Sequence, residues 1–288
     1  MRADSPNETG SIRELGKFLE IQNLALNLPF ALGFLLVASH GLPTARTLAL
    51  VVIAFVAARN AGHSFNRYAD RELDARNPRT QHRALVTGKR SPGFALGFAA
   101  VNAAVLVVAA HLLNPLALLL APVALAAIMG YSYTKRLSAW TTVFLGVVES
   151  ITPAAVFIAV TGNLPVAALV AALGLLFWGT AFETVHSLGD IDSDRSLGLH
   201  SLPLRLGVDP SARLTTVFHA IAVSLLALFG WLARLHGWFY LGLVALGVLL
   251  VWTDLDFLRS PTRAERPFRR HFAMAGVFLL ACALGVLF

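Results

Sequence analysis

Two groups of acidic residues in this 288-residue sequence have the types and spacing of a metal site. In NRYADRELD, the residues Asn66, Asp70 and Asp74 recur at every fourth position, which keeps them within a sector of roughly 80° on a helix. Asp190 and Asp194 are likewise one helical turn apart. Carboxylate and amide oxygens suit Mg²⁺, which often bridges to substrate phosphates. Two such groups facing one cavity would suit a substrate that carries a diphosphate.

Many basic residues accompany the two acidic groups. Metal ions and basic side chains together neutralise the charge on a departing diphosphate, which is an electrostatic route to catalysis. A single pair of aspartates at a membrane boundary is usually only a solvated helix end, but two in matching positions favour a site. The basic residues are Arg67, Arg71, Arg79, Arg83, Lys135, Arg136, Arg195 and Arg205.

Ionisable residues within apolar segments form a second group of candidates, because such residues are costly in a membrane and usually mark function. Arg59 lies two turns before Asn66 on roughly the same face, and its guanidinium suits a carboxylate in a bidentate arrangement. The alternatives are snorkelling or a fixed pair with Glu183 or Glu149. Glu183 and His186 precede Asp190 on a shared face, so they line the same cavity or serve packing.

The elements that must position these residues are transmembrane helices. Hydrophobic residues make up 57% of the chain and charged residues only 14%, against about a quarter in a soluble domain. Spanning the hydrocarbon takes about 20 apolar residues. The sequence therefore predicts an all-α integral membrane protein, a single polytopic domain over 1–288. Its nine predicted spans lie near 23–39, 45–66, 93–112, 115–133, 140–160, 164–187, 211–233, 237–256 and 268–288.

The matching positions of the two acidic groups indicate an internal duplication. Each group follows a long apolar span, and 120 residues separate Asp70 from Asp190. We expect two half-bundles, at about 20–133 and 140–288, each of which presents one acidic group.

The basic residues also predict the orientation in the membrane. Of the 23 Lys and Arg residues, 20 fall in the N-terminal segment and the loops of one face. Basic loops stay in the cytoplasm, so both acidic groups should face the cytoplasm, with the N-terminus inside and the C-terminus outside. This placement in membrane loops explains the sequence pI near 10.3 without a nucleic-acid partner.

At these motifs the sequence resembles the UbiA-type intramembrane aromatic prenyltransferases. The family's first acidic motif and its basic loop appear here as NRYADRELDARNPRTQHRALVTG, and the second acidic motif appears as DIDSDRSLGLHS. Between them, YSYTKR matches a short family loop, and LPFALGF resembles the first helix. The likeness covers nearly the whole chain. NPRT and SLGLHSLPLRLG are most similar to the 4-hydroxybenzoate and dihydroxynaphthoate branch of quinone biosynthesis.

The resemblance implies nine transmembrane helices around a central cavity, related to the terpene-synthase helical fold, and two Mg²⁺ ions that hold a polyprenyl diphosphate. It implies prenyl transfer to an aromatic carboxylic acid by electrophilic substitution, with the prenyl tail in a groove open to the lipid bilayer. Asp70, Asp190 and Arg59 are the predicted catalytic residues. The predicted metal ligands are Asn66, Asp70, Asp74, Asp190 and Asp194, the predicted diphosphate ligands are Arg79, Arg83, Lys135, Arg136 and Arg67, and the predicted acceptor-binding residues are Arg59, Glu183 and His186.

Some positions depart from the family pattern and leave alternatives open. Phe182, Glu183 and His186 replace a Tyr-Asp pair and a later Tyr of many members, and His200 stands where others often have Lys. These departures bear on the acceptor more than on the reaction. The alternatives are haem farnesylation, transfer to geranylgeranylglyceryl phosphate, terpene cyclisation or chain elongation without an aromatic acceptor, and secondary transport.

Overall fold

The computed structural model describes residues 12–20, 24–260 and 265–288, and over this part of the chain all regular structure is helical. The twelve helices are α1 Ile12–Leu19, α2 Leu24–Ala38, α3 Ala45–Arg76, α4 Pro92–Leu113, α5 Pro115–Leu137, α6 Thr141–Thr161, α7 Val166–Leu188, α8 Ile191–Ser196, α9 Leu202–Leu206, α10 Val208–Leu232, α11 Gly237–Arg259 and α12 Glu265–Leu287. The predicted all-α membrane fold is confirmed. Parts of the predicted basic face, at 1–11 and 261–264, lie outside the described residues.

Eight helices among the described residues are long and apolar enough to cross a membrane, namely α3 to α7 and α10 to α12. The first predicted span differs in length, because α2 has only 15 residues. At 1.5 Å per residue it extends about 22 Å, less than the hydrocarbon core of about 30 Å. The prediction of nine full spans is therefore close to the eight that the structure contains, with α2 as a shorter apolar helix.

Polar caps and prolines set where several spans begin. The hydroxyls of Thr44 and Ser91 accept hydrogen bonds from the first turns of α3 and α4, and the Asn114 side chain does the same for α5. Pro92 and Pro115 occupy the first helical positions, where the missing backbone N–H has no partner to lose. These residues therefore determine where α3, α4 and α5 begin.

The core lies in the half of the bundle that contains the C-terminal ends of α2, α10 and α12. Its largest members are aromatic: Phe34, Phe229, Phe239 and Phe278 are fully buried against one another and against smaller side chains. Large apolar side chains on the outside of the bundle, such as Val101 and Leu119, are by contrast more than 60% exposed. This pattern suits a protein whose outer surface contacts lipid.

Two glycines allow α6 and α7 to pack closely. A Cβ atom at Gly146 would lie 2.3 Å from the backbone oxygen of Leu176, and one at Gly179 would lie 3.0 Å from the Glu149 side chain. A side chain at Gly146 would overlap the backbone of α7, and one at Gly179 would be tightly packed against α6. The close approach fixes the position of α7, whose last turns carry Glu183 and His186.

The helices α3, α5 and α7 all end at one side of the bundle, which we call the basic end. Residues 77–90 follow α3 there, and the short helices α8 and α9 follow α7. The predicted site residues collect at this end. The division of the domain into two half-bundles stays a prediction, and the main core contains residues from both halves.

Candidate active site

A polar cavity of about 200 Å³ opens at the basic end, between the last turns of α3, α5 and α7. It contains most of the predicted site residues, although they are distant along the chain, and Arg59, Arg67 and Arg136 are outside its lining. Its lining includes Asn66, Asp70, Asp74, Arg79, Arg83, Lys135, Glu183, His186, Asp190 and Asp194. The fold therefore brings the two acidic motifs, the basic loop and the end of α5 into one chamber.

The first acidic motif lies on a single unbroken helix. Asn66 donates a hydrogen bond from Nδ2 to Oδ2 of Asp70, one turn later, at 3.1 Å. Asp70 is buried and also accepts from two cations of α5, Lys135 at 2.8 Å and Arg136 at 3.1 Å. The Asp70 carboxylate is thus at the centre of a network that joins α3 to α5.

The loop after α3 returns to the same helix. Arg83 Nη1 donates to Asp74 Oδ1 at 2.6 Å, and the Thr80 hydroxyl donates to the Asp74 backbone oxygen at 3.1 Å. Asn77 ends α3 in an extended conformation, and its side-chain oxygen accepts from the Arg79 backbone N–H. These bonds hold the basic loop over the mouth of the cavity.

The second acidic motif is built on a break between helices. α7 ends at Leu188, and Asp190 forms the N-cap position of the six-residue α8. A backbone hydrogen bond from the Asp194 N–H to the Asp190 oxygen, at 2.8 Å, keeps the two aspartates one turn apart. Arg79 binds Asp190 through two bonds, at 2.8 and 2.6 Å, and so ties the loop of the first motif to the second.

Asp194 differs from the other aspartates of the cavity. Within the described residues its carboxylate makes no hydrogen bond and no ion pair, although it lies in the cavity lining. Burial and the neighbouring Asp190 carboxylate raise the pKa of Asp194 to about 6. A cation bound in the cavity would therefore stabilise the ionised Asp194 carboxylate.

The donor set fits Mg²⁺, although no cluster of three or more acidic, His or Cys side chains is already assembled among the described residues. Three of the aspartates face Arg or Lys side chains instead. A substrate that brings both a diphosphate and a divalent cation would satisfy both partners, since the carboxylates could turn to the cation and the basic groups to the phosphates. The chemistry of the residues therefore suits a metal–diphosphate complex.

Glu183 and His186 also lie in the lining, on the inner side of the second motif. The Tyr131 hydroxyl of α5 donates to Glu183 Oε1 at 3.2 Å. His186 Nε2 is 3.9 Å from Asp190 Oδ2. The two residues thus extend the polar wall from the aspartates toward the interior, which agrees with their predicted common face.

The structure places Arg59 elsewhere than the sequence predicted. Its guanidinium does not line the cavity but donates to the backbone oxygens of Leu19 and Glu20, each at 3.0 Å. Carbonyl groups at the end of a helix such as α1 lack intrahelical hydrogen-bond donors. The Arg59 guanidinium donates to two of these carbonyl oxygens. The role of Arg59 in holding an acceptor stays a prediction.

Arg67 also lies outside the cavity lining. It follows Asn66 directly, so the helix rotates it about 100° away from the face that lines the cavity. It is buried and pairs with Glu20. Burial alone would raise the pKa of the Glu20 carboxyl, but Arg67, His63 and Arg83 together hold it below its usual value. The position of Arg67 favours a structural role.

Several residues of the site were not singled out from the sequence. Tyr131 and Ser132 are part of the YSYTKR stretch, but only its two cations were assigned a role. Ser187 lies one turn after Glu183, a spacing that could have identified it. Thr80 and the segment around Leu199 and Ser201 come from loops, for which helical periodicity gives no signal.

Comparison with known proteins agrees with this architecture. Two relatives named 4-hydroxybenzoate octaprenyltransferase are each 31% identical to this chain. The protein from Nitrosomonas eutropha aligns over 251 residues, 87% of each chain. The protein from Pseudomonas fluorescens aligns over 246 residues, 84% of this chain and 82% of its own length.

Solved structures give the same fold. A UbiA homologue from Aeropyrum pernix superposes with a TM-score of 0.81 and 27% identity, over 93% of this chain and 98% of its own. A UbiA homologue from Archaeoglobus fulgidus bound to DMAPP and Mg²⁺ superposes with a TM-score of 0.68 at 17% identity, over 94% and 98%. The sequence itself matches the UbiA prenyltransferase family over residues 27–285. This chain is thus an integral membrane protein of the UbiA prenyltransferase family.

Proposed function

We propose that this protein transfers a polyprenyl group from a polyprenyl diphosphate to an aromatic carboxylic acid, 4-hydroxybenzoate or dihydroxynaphthoate, in quinone biosynthesis. One observation carries the proposal: the two acidic motifs and three basic side chains line a single cavity at one end of an apolar bundle, and Arg136 binds Asp70 beside them. The names of the relatives support the substrate class, since several are 4-hydroxybenzoate octaprenyltransferases.

The reaction depends on Mg²⁺ in this proposal. Asn66, Asp70 and Asp74 would hold one ion and Asp190 and Asp194 another, and the bound metal would supply positive charge that stabilises the departing diphosphate. The homologue solved with DMAPP and Mg²⁺ supports this dependence.

The basic residues would hold the other side of the diphosphate. Arg79 and Arg83 come from the loop after α3, and Lys135 and Arg136 come from the end of α5. Each now contacts an aspartate, so each is already held within reach of the chamber. On substrate binding these cations would turn from the aspartates to the phosphates, where their positive charge would stabilise the leaving group.

The acceptor would bind on the inner side of the diphosphate. We assign its carboxylate to Arg59, which would exchange its bonds with the end of α1 for a bidentate bond to the acid. Glu183 and His186 would contact the ring from α7. The basic end would face the cytoplasm, as the distribution of Lys and Arg predicts, and the prenyl tail would extend along the bundle toward lipid.

The test is a transfer assay on membranes that contain the protein. Geranylgeranyl diphosphate is incubated with 4-hydroxybenzoate, dihydroxynaphthoate or haem, with Mg²⁺ or with a chelator, and products are detected by mass. We expect a prenylated aromatic acid that forms only with Mg²⁺. Membranes with Asp70→Asn protein serve as the control. Product from haem alone, or equal product with the chelator, would contradict the proposal.

A further inference from the structure

The acidic residues that line the cavity are not equivalent in their partners. Asp70, Asp74 and Asp190 each contact a basic nitrogen, at 2.8, 2.6 and 2.6 Å respectively. Asp194 lies on α8, next to the mouth, and belongs to the second metal motif. Glu183 is the remaining carboxylate of the lining, and it belongs to neither motif.

Glu183 has a neutral hydrogen-bond donor where the paired aspartates have cations. Its hydrogen-bond partner among the described residues is the Tyr131 hydroxyl, at 3.2 Å. His186 and Lys135 act on the Glu183 carboxylate electrostatically, but among the described residues no Lys, Arg or His nitrogen lies within 4 Å of it. A carboxylate that is paired with cations or metal is a poor proton acceptor, because a proton must displace the cation. Glu183 keeps the capacity to accept one.

Glu183 lies on the side of the cavity where the proposed function places the acceptor ring. Glu183 precedes Asp190 by seven residues, and the chain is helical from Glu183 to Leu188. At 1.5 Å per residue, Glu183 therefore lies up to about 10 Å deeper in the bundle than Asp190. A diphosphate held at the aspartates, with its tail along the bundle as proposed, would direct its reactive carbon inward, toward this level. Gly146 and Gly179 fix α7 against α6 here, so the Glu183 side chain is held by a rigid pair of helices.

We propose that Glu183 is the base that removes the ring proton during prenyl transfer, an assignment that rests on the proposed function. A ring carbon beside the hydroxyl forms a bond to the first prenyl carbon, using an electron pair of the ring. The bond between that prenyl carbon and the diphosphate oxygen breaks, and its pair leaves with the diphosphate. The ring proton passes to the Glu183 carboxylate, which restores the aromatic ring.

Tyr131 is a positioning residue in this scheme. Its hydroxyl holds one carboxylate oxygen of Glu183 from α5 and leaves the other oxygen for the ring proton. Because the hydroxyl is neutral, it orients the carboxylate without neutralising it. Tyr131→Phe should therefore slow transfer less than a change of Glu183 itself.

The test compares Glu183→Gln with Glu183→Asp and with the matched control Glu72→Gln, an exposed acid on α3. Glutamine retains the size of the side chain and can still accept from Tyr131, but it cannot take the proton. We expect Glu183→Gln to transfer about 10²- to 10⁴-fold more slowly than wild type. Glu183→Asp should fall between the two, and Glu72→Gln should equal wild type.

Two further measurements separate a base from a structural residue. Mg²⁺-dependent binding of geranylgeranyl diphosphate should be unchanged in Glu183→Gln. A 4-hydroxybenzoate deuterated beside its hydroxyl should react more slowly than the ordinary acid in this variant, because proton removal becomes rate-limiting. The isotope effect should be smaller in wild type.

The possible contrary results are distinct. Wild-type rates in Glu183→Gln, lost diphosphate binding in that variant, or equal rates for Glu183→Asp and Glu183→Gln would each overturn the assignment of Glu183 while the proposed function stands. A wild-type protein that binds the diphosphate but prenylates no aromatic acid would overturn the proposed function and this assignment together.

Discussion

The two acidic motifs have similar sequences but different structural settings. The first lies within one 32-residue helix, where Asp70 and Asp74 are buried and both contact cations. The second spans the turn between α7 and α8, where Asp190 pairs with the half-exposed Arg79 and Asp194 has no ion pair among the described residues. The first motif is therefore rigid and neutralised, and the second is more open.

This difference indicates a division of labour within one chamber. Removing a charge from a buried network leaves its partners uncompensated, whereas the partners of an exposed pair turn to water. The first motif should thus contribute to both stability and catalysis. The second should contribute mainly to catalysis, because its geometry can adjust when a substrate binds.

The largest expected effects come from replacing one aspartate of each motif. Asp70→Asn and Asp190→Asn should each lower transfer at least about 100-fold, because each removes a proposed ligand of the Mg²⁺ ions that stabilise the departing diphosphate. Only Asp70→Asn should also lower the free energy of unfolding appreciably, by about 1–3 kcal/mol, since it leaves Lys135 and Arg136 without their shared carboxylate. Transfer assays and thermal unfolding in detergent measure the two quantities.

The exposed pair gives the contrast. Arg79 has 51% of its side chain exposed, so Asp190→Asn should change the stability by less than about 1 kcal/mol. Equal destabilisation by the two variants would contradict the distinction between the motifs.

The packing that supports the second motif can be disturbed separately. Gly146→Ala should destabilise the protein by about 1–3 kcal/mol, because its Cβ would meet the α7 backbone at 2.3 Å. It should also lower transfer, since α7 carries Glu183 and leads to Asp190. Gly247→Ala on α11 is the matched control, as nothing lies within 4 Å of its Cβ. Thermal unfolding of both variants measures whether the close contact of α6 and α7 contributes to stability, and equal melting temperatures would contradict this prediction.

A smaller effect is expected at the link between the motifs. Arg79→Lys retains the charge but loses one of two bonds to Asp190, so the KM for the prenyl diphosphate should rise about 10-fold. Arg76→Lys, an exposed residue just before the same loop, should leave the KM unchanged. An unchanged KM in both variants would mean that the bidentate bond has no part in binding.

The smallest effect on activity is expected at Arg67. Because Arg67 pairs with Glu20 outside the cavity lining, Arg67→Lys should lower the stability by about 1–2 kcal/mol and leave the KM for the prenyl diphosphate unchanged. Kinetic and unfolding measurements on one preparation test both statements. A raised KM with normal stability would instead favour the diphosphate-binding role that the sequence predicted.

Helical periodicity was sufficient to predict the first motif. Asn66, Asp70 and Asp74 share a face on α3, and the apolar stretches correctly indicated the spans, apart from the short α2. The same periodicity could not predict which cation meets which carboxylate. The Arg79–Asp190 contact joins residues 111 positions apart through loops, whose course depends on hydrogen bonds such as that from Arg79 to Asn77.

The positions of Arg59 and Arg67 show a second limit of sequence reasoning. A role in the cavity was predicted for Arg59 from its face of α3 and for Arg67 from its charge. In the structure both side chains instead bind residues at the end of α1. A short amphipathic helix that packs against a span changes which polar groups are available to that span. Such contacts between distant segments have no signature in local spacing.

The aromatic core has a consequence for the cell that makes this protein. Phe34, Phe229, Phe239 and Phe278 fill the half of the bundle away from the basic end, with 0% of each ring exposed. The polar chamber thus opens at the basic end, and the core on the other side is built from apolar side chains. If the protein acts as proposed, water and the released diphosphate would exchange only at the basic end, and the apolar core would separate them from the other side of the bilayer.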